Sequence, residues 1–288
     1  MISILVVSYN SRDHLRHCLE QLVRLDPLTG QRGDEHETIV IDNASTDGSD
    51  TMVEKEFPHC RLLRLEENLG FGAANNRGAR VASGDHLLLL NSDAWLAEGA
   101  LEHLVEVLTA DPRLAMVAPD LRYPDGSRQF AWAPETGVLG EALQMLRNRF
   151  EARAWAHRLP PRWLRPLLGP GWLSGACVLV RHEAFRDVGG FDEDIFMYFE
   201  DVDLSRRLRQ AGWRLGVATE ARALHVKGGS RPSGRGEIEY RRAQLYYYRK
   251  HRPAWENRFL RWKMRRKFAR VREAGLRRDL LLLLGPGA

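Results

Sequence analysis

Apolar residues recur along the first 120 positions in two alternating periods. Residues 2–7 are almost wholly apolar and predict a buried strand. Residues 12–25 carry Leu15, Cys18, Leu19, Leu22 and Val23 at helical spacing. Asp26-Pro27 and the stretch from Gly30 to Gly33 then predict a loop. The same reading predicts strands over 37–42, 61–65, 86–90 and 115–118. Helices fall between them over 48–56, 71–82 (despite Gly78) and 98–110. Strands alternating with helices imply βαβ units and a mainly parallel sheet covered on both faces.

Past residue 120 the alternation lapses. Tyr123-Pro124-Asp125-Gly126 suits a hairpin turn. Residues 131–172 hold four of the eight tryptophans (Trp132, Trp155, Trp163, Trp172), punctuated by Pro160, Pro161, Pro166 and Pro170. Strands are predicted again over 175–180 and 214–218, with helices near 182–187 and 201–211.

Composition narrows the class. With 44% hydrophobic residues in 288, the chain can bury a core. The longest aliphatic runs, 87–90 and 280–284, fall far short of the ~20 residues that span a bilayer. A strand starts at once, with no basic leader or small-residue cleavage site, which argues against a secretory signal. Cys18, Cys60 and Cys177 match neither a disulfide framework nor a zinc spacing, so a cytoplasmic setting is expected. Charge is uneven: residues 241–288 hold 15 Lys/Arg against Glu256, Glu273 and Asp279, a net +12, so residues 1–240 carry −7 of the overall +5. That division suggests an acidic body and an electrostatic anchor.

In parallel α/β sheets, ligands bind outside the carboxyl ends of the strands. Those ends carry Ser8-Tyr9-Asn10, Asp42 through Gly48, Asn68 through Asn76, and Asn91-Ser92-Asp93. Each alone is an ordinary turn or helix cap; four in one crevice point to a ligand. Asp42 can accept a hydrogen bond from a nucleobase. Gly70 and Gly72 would let the backbone lie close to a nucleotide, although neither a P-loop nor a dinucleotide fingerprint is present. Asp93 can hold Mg²⁺ or Mn²⁺ against a diphosphate, and an imidazole such as His225 suits Mn²⁺. Between Phe191 and Asp203 six acids lie among aromatic residues. A carboxylate in such a pocket gains basicity and suits a general base.

Together these segments resemble family-2 glycosyltransferases of GT-A fold. The resemblance rests on 7–10, 41–48, 68–76 and 90–93, and on Gly175 to Arg181, Val188 to Glu193, Phe196 to Leu204 and His225 to Ser230. It covers roughly residues 1–250 and is strongest to the rhamnosyltransferase-like branch, which builds cell-wall and surface polysaccharides. It implies an α/β, GT-A (nucleotide-diphospho-sugar transferase) fold over 1–240, followed by a basic helical extension over 241–288. Within the first unit, 1–120 would be the nucleotide-sugar half and 121–240 the acceptor and catalytic half, bearing the insert 131–172. It further implies inverting transfer of a sugar from a nucleoside-diphosphate (dTDP- or UDP-) sugar to a saccharide or lipid-linked saccharide. Asp42 would contact the base, with Ser8, Tyr9, Asn10, Asn43, Asn68, Gly72, Asn75, Asn91, Ser92 and Asp93 shaping the donor pocket. Asp93 and His225 would ligate Mn²⁺ or Mg²⁺, although Asn91 stands where the family has the first Asp of Asp-x-Asp. Asp201 would be the base, with Glu200 the second choice, and Trp172, Gly175 and Tyr198 would meet the acceptor. The Gln-x-x-Arg-Trp motif of processive synthases is missing, so one sugar per encounter is expected.

The basic tail has three readings. A helix there would put Trp255, Phe259 and Trp262 on one stripe and Met264, Phe268 and Val271 on another. It could pack on the body, make a homodimer contact, or rest on an anionic membrane surface at the inner face of the plasma membrane. A metal-dependent nucleotidyltransferase would need a basic phosphate-gripping loop that the first crevice loops lack. Nucleic-acid binding through the tail is not expected, since the acidic body offers no second basic surface.

Overall fold

The structure is a computed structural model and describes residues 1–29, 36–138, 140, 169–226 and 235–285. The elements run β1 (Ile2–Ser8), α1 (Arg12–Thr29), β2 (His36–Asp42), α2 (Ser49–Glu56), β3 (Arg61–Arg64), α3 (Phe71–Val81), β4 (His86–Asn91), β5 (Ala94–Leu96), α4 (Ala100–Ala110) and β6 (Leu114–Arg122). There follow β7 (Trp132–Ala133), β8 (Trp172–Leu173), β9 (Cys177–Arg181), α5 (His182–Asp187), α6 (Glu200–Gln210), β10 (Arg214–His225), α7 (Arg235–His251), α8 (Ala254–Phe268) and α9 (Ala274–Leu282).

One eight-stranded sheet has the order β3-β2-β1-β4-β9-β6-β10-β5, and β7 and β8 form a small second sheet. Pairing is parallel from β3 through β4 and between β6 and β10; β9 runs antiparallel to both its neighbours, as does β5 to β10. This is the mainly parallel α/β sheet that the alternating periods predict. Central strands buried on both faces need continuous apolar runs, and Leu5, Leu87, Leu88 and Leu89 are fully buried. Gly78 sits inside α3 because a Cβ there would lie 2.8 Å from Ile41 Cδ1; its absence lets the helix rest on β1 and β2.

Register positions the site. Ser8 pairs with Asp42 and Val7 with Asn91, so β1, β2 and β4 deliver their polar ends side by side. A second apolar cluster joins Ile195, Phe199 and Val202 of the body to Tyr247, Tyr248, Leu260, Met264, Phe268 and Leu280 of the C-terminal helices. The division expected at 240/241 therefore falls inside α7, and the helical extension packs on the body. Of the two predicted stripes, Met264 and Phe268 are buried, while Trp255, Phe259 and Trp262 are exposed.

Two expectations change. Asp26-Pro27 predicts a loop, yet α1 runs on to Thr29, because proline's fixed φ is helical and only two residues follow it in the helix. Strand 214–218 extends to His225 through an irregularity between Ala218 and Arg222. The three-residue β5 pairs with that extension. The Tyr123–Gly126 turn closes as predicted, with the Gly126 N–H donating to the Tyr123 carbonyl and a bridge between Arg122 and Arg128. All three cysteines are free, and burial pushes the Cys177 thiol up to about 12 and Cys60 to about 11, so neither is a reactive thiolate at neutral pH. Among the described residues no helix is long and apolar enough to cross a membrane. Trp155 and Trp163 of the tryptophan-rich insert, and Gly228 to Ser230 after His225, lie outside the described residues.

Candidate active site

The ends of β1, β2 and β4 are knitted together by side chains. Ser8 Oγ meets Ser11 Oγ at 3.0 Å, and Ser11 Oγ meets Ser92 Oγ at 2.9 Å. Asn10 has φ 48°, the left-handed region that asparagine tolerates better than most residues. That turn lets its Oδ1 accept the Thr46 N–H at 2.8 Å and its own N–H reach Ser45 Oγ at 3.0 Å. Asn43 donates to Asn68 Oδ1 at 2.8 Å and accepts the Leu69 N–H at 2.9 Å, so β2 and the Asn68 loop hold one shape. Tyr9 stands exposed at the rim. Asp42 is buried; its Oδ2 accepts the Ser45 N–H at 3.1 Å, while Oδ1 has no partner within the chain. A buried carboxylate oxygen without a donor is costly to leave so, and a nucleobase N–H would satisfy it.

A second group surrounds His225 at the end of β10. Gln129 grips it twice: Nε2 donates to the His225 carbonyl at 2.6 Å, and Oε1 lies 3.1 Å from the ring Nδ1. With its amide nitrogen committed to the carbonyl, Gln129 offers the ring an acceptor, so Nδ1 carries the proton and Nε2 the lone pair. Nε2 lies 3.2 Å from both Asp93 Oδ1 and Asn91 Nδ2. Burial opposes the charge of Asp93; in the protonated ring Nε2 carries a hydrogen as well, and that hydrogen bond and charge outweigh burial and hold the carboxyl below its usual range. An imidazole lone pair facing a carboxylate oxygen is a donor set that a divalent cation completes. Among the described residues no third acid, histidine or cysteine joins them, so the set fits a cation whose remaining ligands are water or substrate oxygens.

The third group opens α6. Tyr198 and Phe199 both have left-handed φ, 67° and 66°, a conformation costly for aromatic residues and held here by packing on Tyr240 and Tyr247. The turn presents Glu200 and Asp201 at the helix start. Asp201 accepts the Gly175 N–H at 3.0 Å and the Val202 N–H at 2.8 Å. Burial nonetheless raises its carboxyl to about 6. Glu200 is buried, its Oε2 has no partner, and burial together with the charge of Asp201 pushes its carboxyl well above the usual range. The two carboxyls thus differ: Glu200 is buried and raised well above the usual range, while Asp201 is partly accessible and raised only to about 6.

One short segment links the groups. The Gly175 N–H binds Asp201, and the carbonyl of its neighbour Ala176 accepts the Asn91 N–H at 2.9 Å. A second link runs through Gly70 and Gly72. The space these glycines leave is filled by Phe196 and Phe191 of the acidic segment rather than left open for a ligand. Gly70 adopts φ 82°, where a Cβ would run into the Phe196 carbonyl that also accepts the Phe71 N–H. Gly70→Ala is therefore expected to destabilise the fold by about 2 kcal/mol or more, strain and overlap combined. Gly48→Ala, with φ 79° but open space around it, should lose only about 1 kcal/mol. Thermal denaturation of the two variants checks the difference.

The other predicted residues fall as follows. Asn75 lies fully inside α3, its Nδ2 bound to the Phe71 carbonyl and its Oδ1 unpartnered. Trp172 in β8 packs at the edge of the second cluster. Sequence reasoning missed Gln129 and Ser11, whose roles depend on contacts 96 and 81 positions away. It also missed the partners of Asp203, an acid that Arg207, Lys250 and His251 surround.

The pattern of the family described as glycosyl transferase family 2 matches residues 3–189. The chain belongs to this family. Among its relatives is the N-acetylglucosaminyl-diphospho-decaprenol L-rhamnosyltransferase of Mycobacterium tuberculosis, 31% identical over 285 residues, covering 93% of this chain and 91% of that one. The rhamnosyltransferase WbbL of Escherichia coli is 26% identical over 78% of this chain and 83% of its own. The fold is similar to that of the mannosyltransferase PcManGT of Pyrobaculum calidifontis, solved with GDP-Man and Mn²⁺, at TM-score 0.59 and 18% identity, covering 98% of this chain and 69% of that one. It is also similar to Staphylococcus aureus TarS 1-349 at TM-score 0.55 and 16% identity, over 98% and 70% of the two chains. This family-2 glycosyltransferase therefore has the GT-A architecture, and its relatives include rhamnosyltransferases.

Proposed function

We propose that this glycosyltransferase moves a sugar, rhamnose being the candidate its relatives' names suggest, from a dTDP- or UDP-sugar to a hydroxyl of a saccharide carried on a lipid diphosphate, with inversion. The observation that carries this reading is the split carboxyl pair at the start of α6, tied through Gly175 and Ala176 to the Asn91–Asp93–His225 group. Asp201 accepts the acceptor hydroxyl proton as that oxygen attacks the anomeric carbon. The bond from that carbon to the diphosphate oxygen breaks on the opposite face, so one displacement inverts the centre. Gly175 and Val202 hold Asp201 in place with their N–H groups. Asp42, with its open Oδ1, receives the base, and Asn43 keeps the Asn68 loop closed over the nucleotide. Asp93 and His225 would hold Mn²⁺ or Mg²⁺, which supplies positive charge to the departing diphosphate. Work on a lipid-linked acceptor would place the protein at the inner face of the plasma membrane.

Thermal denaturation with dTDP, UDP and GDP, each with Mn²⁺, Mg²⁺ or EDTA, tests this. One nucleotide at a hundred times its dissociation constant should stabilise the protein by about 2.7 kcal/mol. The gain should shrink in EDTA and in Asp93→Ala. Stabilisation that ignores both would remove the metal from the reading; no response to any nucleotide would remove the donor.

A further inference from the structure

The exposed side of α8 carries a feature that sugar transfer does not use. Trp255, Phe259 and Trp262 are 56%, 42% and 52% exposed, and their spacing places them on one side of the helix. Leu260, Met264 and Phe268, on the other side, are buried in the second cluster. The Phe259 and Trp262 rings lie 5.7 Å apart, and the Arg266 guanidinium sits 5.0 Å over the Trp262 ring. Arg258, Lys263, Arg266 and Arg270 rim the stripe, all exposed. The one acid of α8, Glu256, is buried against Arg252 and contributes nothing to this face. On α9, which packs on α8, Leu282 is 70% exposed.

We propose that this face of α8 is a docking surface for an anionic lipid bilayer: the two tryptophans and Phe259 enter the headgroup region, and the rimming cations bind lipid phosphates. Charge selects this occupant. A bilayer interface takes aromatic rings and cations together. A second copy related by a two-fold axis would instead set four cations against the same four. The whole tail is not the anchor, because Arg241, Lys250 and Arg252 are engaged by Glu237, Asp203 and Glu256. The proposal does not depend on the donor or the acceptor.

Flotation of the full chain with vesicles tests it. The protein should float with vesicles of equal parts phosphatidylcholine and phosphatidylglycerol, not with phosphatidylcholine alone, and less as salt rises. Trp255→Ser/Phe259→Ser/Trp262→Ser should weaken partitioning by about a hundredfold. Arg258→Gln/Arg266→Gln should weaken it by about thirtyfold, near fivefold per cation. These side chains are exposed, so both variants should keep the wild-type melting temperature and the nucleotide response. Wild-type protein that stays off anionic vesicles would overturn the proposal. So would aromatic variants that float as well as wild type, or a wild-type dimer in sedimentation equilibrium that the aromatic variant abolishes.

Discussion

Asp201→Asn should lower turnover by roughly 10²–10⁴-fold, the range a positioned general base contributes, and leave nucleotide binding intact. Asparagine keeps an acceptor oxygen for the Gly175 N–H, so the loop that supports the site is retained. Glu200→Gln should cost far less, because burial and the charge of Asp201 already make Glu200 hold its proton more tightly than Asp201. The pH profile follows from the same difference. With a carboxyl near 6, kcat/KM should rise through that pH and level off above it. Equal losses in the two variants would assign the base wrongly.

Stability should move the other way. An aspartate in the unfolded chain ionises near ~4, and in the fold near 6, so the folded state holds the proton more tightly. Stability is then lost as pH climbs from about 4 to about 6 and stays lower above. Asp201→Asn removes that loss, on the order of 2 kcal/mol at pH 8 and nothing at pH 4. Thermal melts of wild type and variant at the two pH values read it directly.

Much of this site could be read from residue order because its parts lie at strand ends. Ser8, Asp42 and Asn91 follow apolar runs that can only be central strands, and parallel register then aligns them. What escaped depends on partners distant in sequence. The inward positions of the later half of β10 are Ala221 and Ala223, residues with weak strand preference, so the extension leaves little trace. Gln129 lies just past the Tyr123–Gly126 turn, and nothing local marks it as the holder of His225. Gly72 looks like a ligand-binding glycine until Phe191 is seen filling its space. The basic tail, read as one charged block, divides into cations that staple α7 to the body and cations that surround an exposed aromatic stripe.

The stapling cations give the second large effect: Asp203→Asn should destabilise the fold by about 3–5 kcal/mol, the cost of breaking a buried ion pair from one side. Asp203 is fully buried. Its Oδ1 accepts from Lys250 Nζ at 2.8 Å and His251 Nε2 at 2.6 Å, and its Oδ2 from Arg207 Nε at 2.6 Å. Burial alone would raise the carboxyl; the His251 hydrogen bond and the Arg207 and Lys250 cations reverse that and hold it far below the usual range. The pH sign is therefore opposite to that of Asp201, two residues earlier on α6. The stabilisation is full above about 4, where the unfolded carboxyl ionises, and drains away as pH falls below it. The gap between wild type and Asp203→Asn should be widest at neutral pH, about 10 °C in melting temperature for a chain of this size, and narrow as pH drops toward 3. Lys250→Met, which removes a partner that is still partly exposed and also bound to Asp192, should cost less. Because α7 meets the body at this carboxylate, beside the strained Tyr198–Phe199 turn that aims Glu200 and Asp201, Asp203→Asn should also lower turnover at temperatures well below its melt. A variant that melts early yet turns over at the wild-type rate when cold would separate the staple from the catalytic turn.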